Sequence, residues 1–148
     1  MDLLRQQSFL IDYRARQIKF GPVPHLSHSA PLVSTERLLL LQALVGQKIL
    51  RLQVDTGFNA ILIYGGRVRS FQDHQTNSQS ESFGQRSNAQ PISLPRLQIG
   101  NWSGTQVPAA VTDDEPSGVV GFEGLLGPIA IGVRRLAIDF DQRVISWE

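Results

Sequence analysis

The sequence predicts an all-β domain. Apolar residues recur at the two-residue period of a strand. Glycine and proline, 13 and 8 of 148 residues, cut the chain into pieces too short for helices. A helical period shows only faintly, somewhere within 123–134.

Taken in order, the first stretch, residues 1–20, holds a strand-like piece, Phe9-Leu10-Ile11-Asp12-Tyr13. A polar turn, Arg14-Ala15-Arg16, and a second strand-like piece, Gln17-Ile18-Lys19-Phe20, follow. Two strands about a short turn make a β-hairpin. Residues 21–34 carry Gly21, Pro22, Pro24, Pro31 and several serines, the composition of an extended linker that packs poorly. Residues 35–148 form the main domain. There Glu36 to Val45 is apolar, Gly46-Gln47 suits a turn, and Ile49 to Val54 alternates, with Leu50, Leu52 and Val54 on one face and Arg51 and Gln53 on the other. Ala60 to Tyr64 reads as a short buried strand. Residues 70–91, rich in Gln, Ser and Asn, read as a polar hairpin or a disordered stretch around Ser82-Phe83-Gly84. Strand signal returns at Arg96–Ile99 and Gln106–Val111, and Asp113-Asp114-Glu115-Pro116 is an acidic turn.

The chain repeats itself. Ile11-Asp12-Tyr13-Arg14-Ala15-Arg16-Gln17-Ile18-Lys19-Phe20 aligns without gaps to Ile138-Asp139-Phe140-Asp141-Gln142-Arg143-Val144-Ile145-Ser146-Trp147. Ile11, Asp12, Arg16 and Ile18 match identically, and Tyr13 and Phe20 meet Phe140 and Trp147. Because polar positions match as well as apolar ones, the likeness exceeds that of any two hairpins.

Composition narrows the function classes. Net charge is +1, so no basic stripe points to nucleic acid. There is no cysteine, which removes disulfides, zinc–thiolate sites and cysteine nucleophiles. His25, His28 and His74 lack metal-ligand spacing and read as solvated; no metal and no cofactor is expected. No Gly-x-Ser-x-Gly and no phosphate-binding Gly-Lys-Ser/Thr occurs. Asn101-Trp102-Ser103 fits a glycosylation sequon, with no sign of export. Trp102 and Trp147 read as core or interface aromatics. No segment predicts a membrane span or a secretory signal, so the chain as written is expected in the cytoplasm.

Chemistry concentrates at Asp55-Thr56-Gly57. The triplet ends an alternating strand and precedes a second apolar one. Glycine after the carboxylate lets the backbone turn tightly, leaving Asp55 on a rigid exposed corner. The bland reading of Asp55 is a turn aspartate that caps local backbone. A second element, Gly124-Leu125-Leu126-Gly127, fits a core strand that bends beneath such a loop.

Together these elements resemble the retropepsin-like aspartic proteases, over residues 35–148. Phe58-Asn59 departs from the Ala or Ser common after the triplet in viral members. It is closer to bacterial members of the clan, as is the ending Leu136-Ala137-Ile138-Asp139-Phe140 with Arg143. The resemblance implies one lobe of a closed or nearly closed acid-protease barrel, with an N-terminal β-hairpin, acting on peptide or protein substrates. Asp55 would be the catalytic carboxylate, supported by Thr56 and Gly57. Leu125, Leu126 and Gly127 would form the structural loop, and Ser82, Phe83 and Gly84 the flap. One Asp-Thr-Gly is half a site, so the resemblance implies a homodimer. The alternative is a non-catalytic lobe that dimerises or holds peptides. Met1 to Tyr13 also looks like the end of a preceding lobe of the same kind. Residues 9–20 then either belong to such a lobe or add a hairpin to this domain's own sheet or to a partner's.

Overall fold

A computed structural model of the chain describes residues 7–33, 38–65, 89–113 and 121–148. Among these described residues eleven strands and one 3-10 helix follow in order: β1 (Phe9–Asp12), β2 (Gln17–Phe20), β3 (His28–Pro31), β4 (Leu40–Val45), β5 (Lys48–Val54), β6 (Ile61–Tyr64), β7 (Gln90–Ile99), β8 (Trp102–Thr112), β9 (Gly124–Leu126), the 3-10 helix (Pro128–Ile131), β10 (Arg135–Asp139) and β11 (Val144–Trp147). The all-β expectation holds, and the faint helical signal of 123–134 resolves into that single 3-10 turn.

Six strands close a barrel in the order β4-β5-β9-β6-β8-β7. The alternation read in β5 is what closes it. Leu50, Leu52 and Val54 are buried while Lys48, Ile49 and Arg51 are exposed. Leu41, Leu52, Ile61, Ile63, Leu97 and Ile99 meet in the interior with almost no exposure. Each such side chain contributes about 1.5–3 kcal/mol through burial. A smaller cluster of Leu40, Tyr64 and Phe122 lies on the opposite face of the same strands. The Tyr64 and Phe122 rings are tilted, with centroids 6.0 Å apart.

A second sheet, ordered β2-β1-β10-β11-β3, packs on the barrel. Here the structure departs from the linker expectation for 21–34. β3 lies inside that stretch and pairs with β11, Ala30 opposite Ile145 and His28 opposite Trp147. The reason is backbone pairing and small size. Ala30 is buried at 3% exposure, and Pro31, which cannot donate to a ladder, ends a strand at the sheet's edge. Asn101 pins β3 from the β7–β8 turn, its Oδ1 accepting from Ser29 N at 2.8 Å. The sequon asparagine is thus engaged in the fold. His28 is also less free than its sequence context implies, for its ring lies 5.9 Å from that of Trp147.

Residues 9–20 do form the expected hairpin, and it joins this domain's own sheet. β1 pairs antiparallel with β10, Leu10 opposite Ala137. The sequence repeat is also a structural one. Phe9 faces Phe20 in the first hairpin as Leu136 faces Trp147 in the second. Asp12 Oδ1 accepts from Ala15 N at 2.8 Å, and Asp139 Oδ1 accepts from Gln142 N at 2.9 Å. Arg16 and Arg143 both take the left-handed conformation, φ 55° and 53°. An Asp-capped turn with one left-handed residue is costly for arginine and is repeated at matching positions.

Candidate active site

The Asp55-Thr56-Gly57 loop leaves the C-terminal end of β5 and runs to β6. β9 threads between those two strands. It lies parallel to β5, with Val54 opposite Leu126, and antiparallel to β6, with Ile61 opposite Leu126. The loop is therefore fixed at its base. Asp55 N donates to Leu126 O at 3.0 Å, and Gly127 N donates to Ala60 O at 2.8 Å. Within the loop, Phe58 N donates to Asp55 O at 3.1 Å and Gly57 N donates to Asp55 Oδ1 at 3.0 Å. Asp55 is half-buried and Gly57 is exposed, and the carboxylate is held by the loop's own backbone.

Two glycines permit the close approach of β9. A Cβ on Gly124 would run into the Leu62 carbonyl, and one on Gly127 would run into the Phe58 carbonyl. Leu126, between them, is buried in the main core, and Leu125 packs on the smaller cluster. The Leu-Leu-Gly element thus lies directly under the Asp55 loop. Ser82, Phe83 and Gly84 lie outside the described residues.

Two contacts, one at the loop and one between the strands that lead to it, carry no sequence signal. Tyr13, from the N-terminal hairpin, donates its hydroxyl to Thr56 O at 3.3 Å. Its phenol pKa is pushed up to about 12, first by burial and then by the negative charge of Asp55. Arg51 and Glu123 tie β5 to the start of β9. Arg51 N donates to Glu123 Oε2 at 2.6 Å, and the guanidinium meets Oε1 at 3.1 Å. The repeat marks Tyr13 only as an aromatic position, and nothing links Arg51 to a residue 72 positions away. Among the described residues no group of three acidic or histidine side chains converges as a metal site would require. None of the described helices is long and apolar enough to cross a membrane.

An aspartate on a tight turn between two barrel strands, with a glycine-flanked strand threaded beneath it, defines a known class. Residues 41–128 match the family described as aspartyl protease. The match spans more than half of the chain, and the chain belongs to that family. Its fold is similar to that of a retropepsin-like aspartic protease from Rickettsia conorii, seen in a crystal structure, at TM-score 0.58 and 15% identity. That likeness covers 79% of this chain and 87% of the other. No curated protein matches the sequence. Family and fold support protease function.

Proposed function

We propose that the chain is a lobe of an aspartic endopeptidase in which Asp55 activates a water against a peptide carbonyl. The observation that carries this is the loop itself. Asp55 is held from below by Leu126 O and laterally by Gly57 N, on a residue that stays half-buried.

The chemistry requires a second carboxylate. Two such groups around one water cannot both ionise, so they share a proton. The ionised one takes a proton from the water as general base, while the protonated one hydrogen-bonds the scissile carbonyl and polarises it. Neither a covalent intermediate nor a metal takes part in this route. The pair titrates as a unit, so activity is bell-shaped in pH. The second carboxylate comes from a second Asp-Thr-Gly lobe, supplied by another copy in a homodimer or by a lobe on the same polypeptide.

The test is cleavage of a mixed peptide pool from acid to neutral pH. It is run with the chain over a concentration series and with two lobes joined in tandem, each beside its Asp55→Asn counterpart. Cleavage abolished by Asp55→Asn supports the reading. Cleavage that survives the substitution removes Asp55 as the catalytic carboxylate, and none from either form leaves a non-catalytic lobe that dimerises or holds peptides.

A further inference from the structure

The N-terminal hairpin carries four apolar residues at core-type positions, of which Phe9 and Ile11 pack on this domain's core while Ile18 and Phe20 are left without one. Phe9, Ile11, Ile18 and Phe20 occupy the repeat positions of Leu136, Ile138, Ile145 and Trp147. The pairing registers put all eight on one face of the sheet, since Phe9 faces Ile138 and Phe20, and Ile11 faces Leu136 and Ile18. The four on β10 and β11 plug this barrel, each at 3% exposure or less. On β2 their counterparts Ile18 and Phe20 stand at 56% and 55% exposure. The outer edge of β2 pairs with no described strand, whereas β11, its counterpart, is covered by β3.

The β1–β10 register adds direction. Leu10 and Ala137 are repeat equivalents and lie directly opposite each other, with Phe9 opposite Ile138 and Ile11 opposite Leu136. The two hairpins are therefore related by a local two-fold axis through the Leu10–Ala137 pair. Applied to the barrel, that axis sets a second barrel against β2. We infer that the hairpin is the closing hairpin of a second lobe of this same fold, joined ahead of Ser8. That lobe's core takes Ile18 and Phe20, and its β3-like strand pairs with the free edge of β2. This deepens the proposed function by naming the supplier of the second carboxylate. A second copy of the chain cannot pair its β10 with this β10, because β1 already holds that edge.

The absence of cysteine makes the test direct. In a copy-to-copy dimer about β10, Ala137 would meet its own counterpart, and Ala137→Cys would cross-link two chains on oxidation. The expected result is that Ala137→Cys stays monomeric on a non-reducing gel, while Leu10→Cys with Ala137→Cys closes a bond within one chain. A dominant interchain product from Ala137→Cys overturns the inference and leaves the peptidase reading intact. A second measurement uses residues 21–134 followed directly by residues 8–148, which gives β1–β2 a barrel to close. In this tandem the outward amides of β2 exchange about tenfold or more slower than in the 148-residue chain. A folded tandem whose β2 amides exchange as fast as in the single chain overturns the inference, whatever its peptidase activity.

Discussion

Replacing Gly127 by alanine tests how tightly the candidate site is built. The added Cβ meets the Phe58 carbonyl carbon and oxygen, and Ala60 O at 2.9 Å. All three are backbone atoms, so no side chain can rotate aside, and β9 must draw away from the Asp55 loop. The hydrogen bonds from Gly127 N to Ala60 O and from Asp55 N to Leu126 O are those that stretch. Two weakened backbone hydrogen bonds cost about 1 kcal/mol each. Overpacking at a site that cannot yield adds about 1–3 kcal/mol. The expected loss is about 3–5 kcal/mol of unfolding free energy by urea denaturation, with faster amide exchange at Asp55 and Gly57. A loss below about 1 kcal/mol with unchanged exchange at Asp55 would refute the claim that β9 fixes the loop.

Two further predictions concern Tyr13 and Trp147. Tyr13 titrates near 12, followed by ring-carbon NMR, and Asp55→Asn brings that value down only in part, because burial is the larger cause. With the folded value above the ordinary one of about 10, stability is full below that pH and falls between the two as the unfolded phenol ionises first; an Asp55→Asn titration identical to wild type would remove Asp55 from Tyr13's surroundings. Trp147 is buried, and its Nε1 has no hydrogen-bond partner among the described residues. Trp147→Phe removes a donor whose burial costs about 1–3 kcal/mol, so it should unfold within about 1 kcal/mol of wild type, where Trp147→Ala loses about 3–5 kcal/mol. A loss with Phe as large as with Ala would show that the donor is satisfied.

The parts legible in the sequence were those written in local period. β5 is announced by Leu50, Leu52 and Val54, its turn by Gly46-Gln47, and the loop by Asp55-Thr56-Gly57. The repeat placed a hairpin at 9–20. What escaped was long-range partnership. Nothing in His28-Ser29-Ala30-Pro31 says strand, because β3 exists by bonding to β11, and its proline and serine read as linker. The β7–β8 hairpin is longer than its sequence signal. Pairing carries it from Gln90 opposite Val111 to Ile99 opposite Trp102, across prolines and glycines that weaken a local pattern. The threading of β9 between β5 and β6 is likewise a matter of contact, hinted at only by the two glycines that flank Leu125-Leu126.

The barrel closes on itself, so among the described strands the open edges are those of β2 and β3. On β2, Lys19 stands between the exposed Ile18 and Phe20. A charged residue in an apolar edge strand acts as a gatekeeper against strand-to-strand stacking. Lys19 is the one charge that β2 itself sets against such stacking. Neutralising it, by acetylation or by Lys19→Val, would turn the edge into a seed for aggregation.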